Sequence, residues 1–281
     1  MTRTLLLSIV LATTAFCQST PSAGEQSRGI LDKALKESNP DTRKQAVMAL
    51  SLAGSGEPFL SQVAAMLDDK DVEVRLAAVA SLVDLPTERT TVMLHKALND
   101  DVPEVSFAAA RALWSLNDPE GKAALFSILS GETKATTSFF PKQKRDAMRL
   151  MHTPRTMFMF ALVHGAAFAP VPGLGAGVAS MQGLLSDAGV SGRATVALLF
   201  GEEKNAATLQ ALRDALSDKD WSVRAAAVHS LALWNDPSLQ PDIVPLLDDK
   251  KEAVRLRAAA GYLRLELIKG RGVKLVVAGG N

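Results

Sequence analysis

Two stretches of this chain, RLAAVASLV at residues 75–83 and SFAAARALW at residues 106–114, carry the same order of small and apolar residues. The interval between them is 31 residues, and the same interval recurs upstream and downstream. The positions in phase are Lys44, Arg75 and Ser106 in the first half and Arg193, Arg224 and Arg255 in the second. A fixed period of this length indicates an architecture in which one small unit stacks on copies of itself.

Each copy has the pattern of an amphipathic helix. In the copy at residues 72–83, small and apolar residues fall at i, i+3, i+4, i+7 and i+8 and form one face: Val74, Ala77, Ala78, Ser81 and Leu82. An Asp or Ser six residues before each phased position is predicted to cap the helix by accepting hydrogen bonds from the amides of its first turn. These residues are Ser38, Asp69, Asp100, Asp187, Asp218 and Asp249.

A bulkier apolar helix precedes the small-residue helix in each unit, as at residues 59–67. A hairpin of two such helices cannot bury its apolar faces alone, whereas stacked hairpins bury them against their neighbours. The sequence therefore predicts an all-α fold, an α-solenoid of about seven helical-hairpin repeats with a period of 31 residues.

The repeat unit resembles the bacterial HEAT-repeat family, including the HEAT-like repeats first associated with phycobilin lyases. The residues that carry the resemblance are VEVRLAAVASL at 72–82 and WSVRAAAVHSL at 221–231, and the match covers residues 28–268. It implies a binding scaffold, and it implies that the recurring Asp and Arg form a structural ladder of turn contacts between adjacent repeats. The ladder residues are Asp69, Arg75, Asp187, Arg193, Asp218, Arg224, Asp249 and Arg255.

Three positions depart from the family pattern. Ser106 stands where the unit expects Arg, Gly192 replaces the Val before Arg193, and Gly261 lies inside the last helix. We expect less regular packing at these positions.

The N-terminus, MTRTLLLSIVLATTAFC, has a charged start, an apolar middle and a small-residue end. This pattern is typical of a secretory signal peptide, so we predict a signal peptide at 1–17, a flexible segment at 18–27 and an exported protein. Lipoprotein anchoring through Cys17 is less favoured, because the residue before an acylated Cys is normally small and here it is Phe16.

The period breaks between Ser106 and Arg193, and an apolar insertion is predicted at about 153–172. Residues 156–186 include no Asp, Glu, Lys or Arg, but Pro170 interrupts the stretch before it could form a membrane-spanning helix. Three interpretations stay open: a helix that covers an edge of the solenoid, a surface for a ligand or protein partner, and a hairpin that dips into a bilayer. The residues predicted to make partner or membrane contacts are Met157, Phe158, Met159, Phe160 and Phe168.

Composition and motifs exclude several classes of function. The formal net charge of +1 argues against nucleic-acid binding, and one Cys excludes a disulfide framework. The four His include no i, i+4 pair, and GLGAG at 173–177 is not a phosphate loop because no strand precedes it. We therefore predict no catalytic residue, no metal site and no cofactor. The C-terminal residues 269–281 are predicted to form a tail outside the repeats.

The sequence thus predicts an exported, non-enzymatic scaffold that binds a protein partner through its repeat surface. One alternative, implied by the lyase-associated relatives, is a chaperone of a ligand or chromophore that uses the insertion as a lid. The other alternative is a scaffold with weak peripheral membrane association.

Overall fold

The computed structural model of this chain describes residues 21–130 and 192–278, and all regular structure in those two ranges is helical. The α-helices are α1 Ala23–Ala34, α2 Pro40–Ala53, α3 Phe59–Ala65, α4 Val72–Val83, α5 Glu88–Ala97, α6 Pro103–Ser115, α7 Pro119–Ser130, α8 Gly192–Phe200, α9 Ala206–Ala215, α10 Trp221–Leu233, α11 Gln240–Ile243 and α12 Glu252–Ala278. Short 3₁₀ segments lie at Met66–Asp68, Pro237–Leu239 and Val244–Asp248. The predicted all-α repeat fold is confirmed.

The small-residue face lets neighbouring repeats approach closely. All five residues of this face in α4 are buried, and α4 packs between α2 and α6. The Ser81 hydroxyl donates a hydrogen bond to the Val47 carbonyl of α2 at 3.3 Å. Ser230, at the same repeat position in α10, donates to the Ala197 carbonyl of α8 at 2.9 Å. A side-chain hydroxyl can reach the backbone of the next helix only because the residues around it are small.

The capping residue lies two positions later than the sequence predicts. The N-cap of α4 is Asp71, which accepts from the amides of Glu73 and Val74. Asp69 instead accepts the Asp71 amide at 2.8 Å and so shapes the turn before the helix. Asp218 and Asp220 divide the two roles in the same way before α10. The prediction that Asp69 and Asp218 cap these helices is wrong.

The order of the stack is not the order of the chain. Helices α8, α10 and α12 pack in succession, and so do α2, α4 and α6. The two series join because α12 packs against both α1 and α2, so the first and last repeats are neighbours in the middle of the stack. Among the described helices, α6 and α7 lie at one end of the stack and α8 at the other. We call the interface of α12 with α1 and α2 the seam.

Both predicted terminal segments are partly helical, because α1 begins before residue 28 and α12 continues past residue 268. Helix α1 begins at Ala23 because Ser22 and Glu25 form a capping box, with the Ser22 amide donating to the Glu25 carboxylate at 2.8 Å. Helix α12 continues to Ala278. Once a helix has formed, each further residue adds a hydrogen bond without a new nucleation cost, so the helix extends past the last repeat contact.

Gly261, one of the positions that depart from the family pattern, lies where two helices approach each other closely. A Cβ at Gly261 would lie 3.0 Å from the Ala232 Cβ and 3.6 Å from the Val228 side chain. The missing side chain therefore allows α12 to pack closely on α10.

Two helical glycines provide a test of the packing. An added Cβ at Gly121 would lie 2.5 Å from the backbone nitrogen of Trp114, whereas nothing lies within 4 Å of one at Gly29. We expect Gly121→Ala to lower the free energy of unfolding by about 1–3 kcal/mol through backbone displacement. Gly29→Ala should raise it by roughly 0.5–1 kcal/mol, because Ala favours the helix. Urea unfolding followed by circular dichroism measures both, and an equal change in the two variants would contradict the packing of α7 on α6.

Candidate functional site

Three nearly buried ion pairs connect successive repeats. In each pair an Arg of one small-residue helix binds the Asp of the turn between the two helices of the next repeat, through two nitrogens and both carboxylate oxygens. The nitrogen–oxygen distances lie between 2.6 and 3.1 Å. The pairs are Arg43–Asp69, Arg75–Asp100 and Arg224–Asp249.

The same Arg also holds its own turn. Nη1 of Arg224 donates to the Asp218 carbonyl at 2.8 Å, and Nη1 of Arg75 donates to the Asp69 carbonyl at 2.9 Å. One guanidinium thus satisfies the carbonyl of its own turn and the carboxylate of the next. With their donors used in this way, these Arg are structural.

The phase of the first repeat is shifted by one residue from the sequence alignment. Arg43, not Lys44, pairs with Asp69 and donates to the carbonyls of Glu37 and Ser38. Glu37 therefore has the position before α2 that Asp69 has before α4, six residues ahead of the ladder Arg. Ser38 accepts a hydrogen bond from Arg43 through its backbone carbonyl.

The remaining predicted ladder residues have different surroundings. Arg193 pairs with Asp218, and its side chain is 55% exposed. Arg255 donates to the Asp249 carbonyl at 2.7 Å, and no carboxylate in the described ranges lies in ion-pair range of it. Asp187 lies outside the described residues. Ser106 replaces the ladder Arg in α6 and donates to the Leu98 carbonyl instead.

The seam replaces the ladder between the last and first repeats. The fully buried Arg257 donates to the Met48 carbonyl at 3.0 Å, and the Thr42 hydroxyl donates to the Glu252 carboxylate at 2.9 Å. Burial lowers the pKa of Arg257 to about 10, while the nearby Asp84 carboxylate acts in the opposite direction. Arg257 therefore stays charged at neutral pH.

Further contacts lie at the solvent-exposed edge of the seam. Arg28 of α1 pairs with Glu266 of α12 at 3.1 Å, and the Gln26 amide donates to the Asp248 carboxylate at 2.8 Å. These contacts join residues more than 200 positions apart in the chain.

A pocket of about 520 Å³ lies at the seam, beside the C-terminal ends of α2 and α4; we call it the seam pocket. Arg264 and Arg271 of α12 line one side of it, and the loop of residues 54–56 lines another. Nη1 of Arg264 donates to the Leu52 carbonyl at 3.1 Å, and its Nε donates to Asn235 Oδ1 at 2.8 Å. The sequence analysis missed this site, because its residues come from four repeats and share no motif.

The other sequence-based candidates stand as follows. Met157, Phe158, Met159, Phe160 and Phe168 lie outside the described residues, as does the predicted signal peptide at 1–17. His95 Nε2 lies 3.1 Å from Asp118 Oδ1, which also accepts the amides of Glu120 and Gly121 and so caps α7. Within residues 21–130 and 192–278 no cluster of His, Cys, Asp or Glu could hold a metal ion. Among the helices of the same ranges, none has the length and hydropathy needed to cross a membrane.

The stacked helical hairpins and their inter-repeat ion pairs define a helical-repeat solenoid. The model of the HEAT-repeat family matches residues 60–137 and 179–264, together more than half of the chain. The chain therefore belongs to the HEAT-repeat family.

Solved structures of other repeat proteins share low similarity with the chain. Human deoxyhypusine hydroxylase in complex with glycerol is 18% identical over 87% of this chain and 97% of its own, with a TM-score of 0.32. A designed armadillo repeat protein is 16% identical over 86% of this chain and 100% of its own, with a TM-score of 0.26. No curated protein matches the chain in sequence.

The ladder predicts a pH dependence of stability. Hydrogen bonds from Arg43 lower the pKa of Asp69 below its ordinary value. The native state therefore favours the ionised carboxylate, and this contribution is present above the ordinary carboxyl pKa and lost as pH falls through the lowered one. Asp69→Asn leaves Arg43 buried without its charge partner, so it should lower the free energy of unfolding at pH 7 by about 3 kcal/mol.

The difference in the free energy of unfolding between the wild type and Asp69→Asn should shrink as the pH is lowered from 6 to 3, as measured by urea titrations. The matched control is Asp101→Asn, because Asp101 contacts Arg75 from a position that is 91% exposed. Its effect should stay below about 1 kcal/mol. A loss of equal size in the two variants would show that burial of the pair is not what stabilises the ladder.

Proposed function

We propose that the protein is an exported, non-enzymatic scaffold that binds a protein partner at the ends of its repeat stack. The observation that carries the proposal is the position of the exposed aromatic side chains. Trp114 of α6 and Phe126 of α7 are 58% and 59% exposed, and both helices belong to one end of the stack. At the other end, Val196 and Leu199 of α8 are also exposed.

Exposed aromatic side chains of this size favour a protein partner. Trp contributes a large apolar area with few rotatable bonds and is enriched among the residues that dominate binding energy. The Lys122 ammonium lies 5.9 Å from the centre of the Phe126 ring, which adds a cation beside the apolar surface. Interfaces commonly combine such aromatic centres with a charged rim.

The insertion is proposed to belong to the same surface. It lies in the sequence between α7 and α8, the helices at the two ends of the stack. Met157, Phe158, Met159, Phe160 and Phe168 would then contribute adaptable apolar contacts to the partner. HEAT-repeat proteins commonly use their repeat surfaces for protein interactions, which supports the assignment.

Substitution of the two aromatic residues tests the binding surface. Immobilised wild type and a Trp114→Ser/Phe126→Ser variant are incubated with the exported protein fraction, and captured proteins are quantified by mass spectrometry. We expect the double variant to lose at least tenfold of the specific capture, because two central aromatic contacts contribute roughly 2–4 kcal/mol.

The matched control is Val92→Ser on α5, since Val92 is 69% exposed and its substitution removes exposed apolar surface without an aromatic ring. Val92→Ser should retain capture. Unchanged capture by the aromatic double variant, with its helical circular dichroism intact, would reject this end of the stack as the binding surface.

Cell fractionation tests export. The full-length chain and a variant without residues 154–170 should both be recovered in the soluble exported pool, because the signal peptide directs export and the insertion serves protein binding. Cytoplasmic retention of the full-length chain would contradict export. Recovery of the full-length chain in the membrane pool, lost on deletion, would favour the membrane-contact alternative instead.

A further inference from the structure

The seam pocket exists only because the last helix packs on the first repeats. Its lining combines α12 with the ends of α2 and α4 and with Asn235 after α10. Leu85, Leu267 and Ile268 supply apolar surface, and Arg264 and Arg271 supply two positive charges.

Both guanidinium groups lie over a loop without bulky side chains. The position of a Cβ at Gly54 lies 3.9 Å from Nη1 of Arg264, and that of a Cβ at Gly56 lies 3.9 Å from Nη2 of Arg271. Gly54 has a φ of +106°, a backbone conformation that favours glycine. The loop therefore leaves space directly in front of the two Arg.

The pocket has hydrogen-bond donors that the protein does not use. Helix α2 ends at Ala53, and the amides of residues 54–56 have no acceptor among the described residues. Nη2 of Arg264 and all three nitrogens of Arg271 also make no hydrogen bond within the described ranges. Donors concentrated in this way at a concave surface are typical of an anion-binding site.

The charges around the pocket are not balanced. Asp84 is the acidic residue of its lining, and the buried Arg257 interacts with that carboxylate. Glu57, next to the loop, pairs with Arg89. No carboxylate of the described residues pairs with Arg264 or Arg271, and burial together with the charge of Arg271 lowers the pKa of Arg264. Two positive charges are left to attract a ligand.

We propose that the seam pocket binds a small organic phosphate monoester. Arg264, Arg271 and the amides of the loop would bind the dianionic phosphate group, whose charge matches the two guanidinium groups. The volume of about 520 Å³ exceeds what a phosphate group occupies, and the apolar lining would contact the organic part. This inference does not depend on the proposed protein partner.

Isothermal titration calorimetry of the full chain tests the proposal, with phenyl phosphate as the probe and with inorganic phosphate and phenol as separate arms. We expect saturable binding of one phenyl phosphate per chain, at least tenfold tighter than either inorganic phosphate or phenol. Inorganic phosphate that binds as tightly as phenyl phosphate would overturn the monoester assignment, and phenol that binds as tightly would overturn recognition of the anion.

Arg271→Gln is the informative variant, because Arg271 is exposed and makes none of the hydrogen bonds of the seam. Its affinity for phenyl phosphate should fall at least tenfold, whereas Lys269→Gln, an exposed cation on the same helix outside the seam pocket, should bind like the wild type. Circular dichroism checks that both variants stay folded. Absence of saturable binding to the wild type, or equal binding by Arg271→Gln, would overturn the proposal.

Discussion

The packing of α12 on α1 and α2 is the contact on which the arrangement of this protein depends. It buries Arg257 completely and joins residues that are more than 200 positions apart. A buried guanidinium stabilises an interface only when its donors are satisfied, and here the Met48 carbonyl and the nearby Asp84 charge contribute to that. In the described ranges this packing supplies most of the contact between the two halves.

Two different sets of contacts hold the repeats together. Within each half, a repeated Arg–Asp pair joins the turn of one repeat to the turn of the next, so each interface is local in sequence. At the seam no such pair forms, and a mixed set of contacts replaces it: Thr42 with Glu252, Arg28 with Glu266 and Arg264 with the Leu52 carbonyl. The solenoid is therefore regular along each half and irregular where the halves meet.

This arrangement separates two kinds of surface. One end of the described stack carries the exposed aromatic residues Trp114 and Phe126, since no further described repeat covers them. The seam carries a charged pocket, in which Arg264 and Arg271 have no acidic partner among the described residues. An apolar surface fits a protein, and a concave cationic one fits a small anion. The described part of the repeat stack therefore presents both kinds of surface.

The sequence by itself determined the helical repeat, because the 31-residue period and the small-residue face at i, i+3 and i+4 are local properties of each unit. It also indicated which Asp and Arg recur. However, the N-cap of α4 is Asp71 rather than Asp69, and the residue that pairs with Asp69 is Arg43 rather than Lys44. Both errors have one physical cause: an alignment fixes the period but not which neighbour a side chain contacts in space. Only the tertiary structure decided the seam and its pocket, because contacts between residues about 200 positions apart leave no periodic signal in the chain.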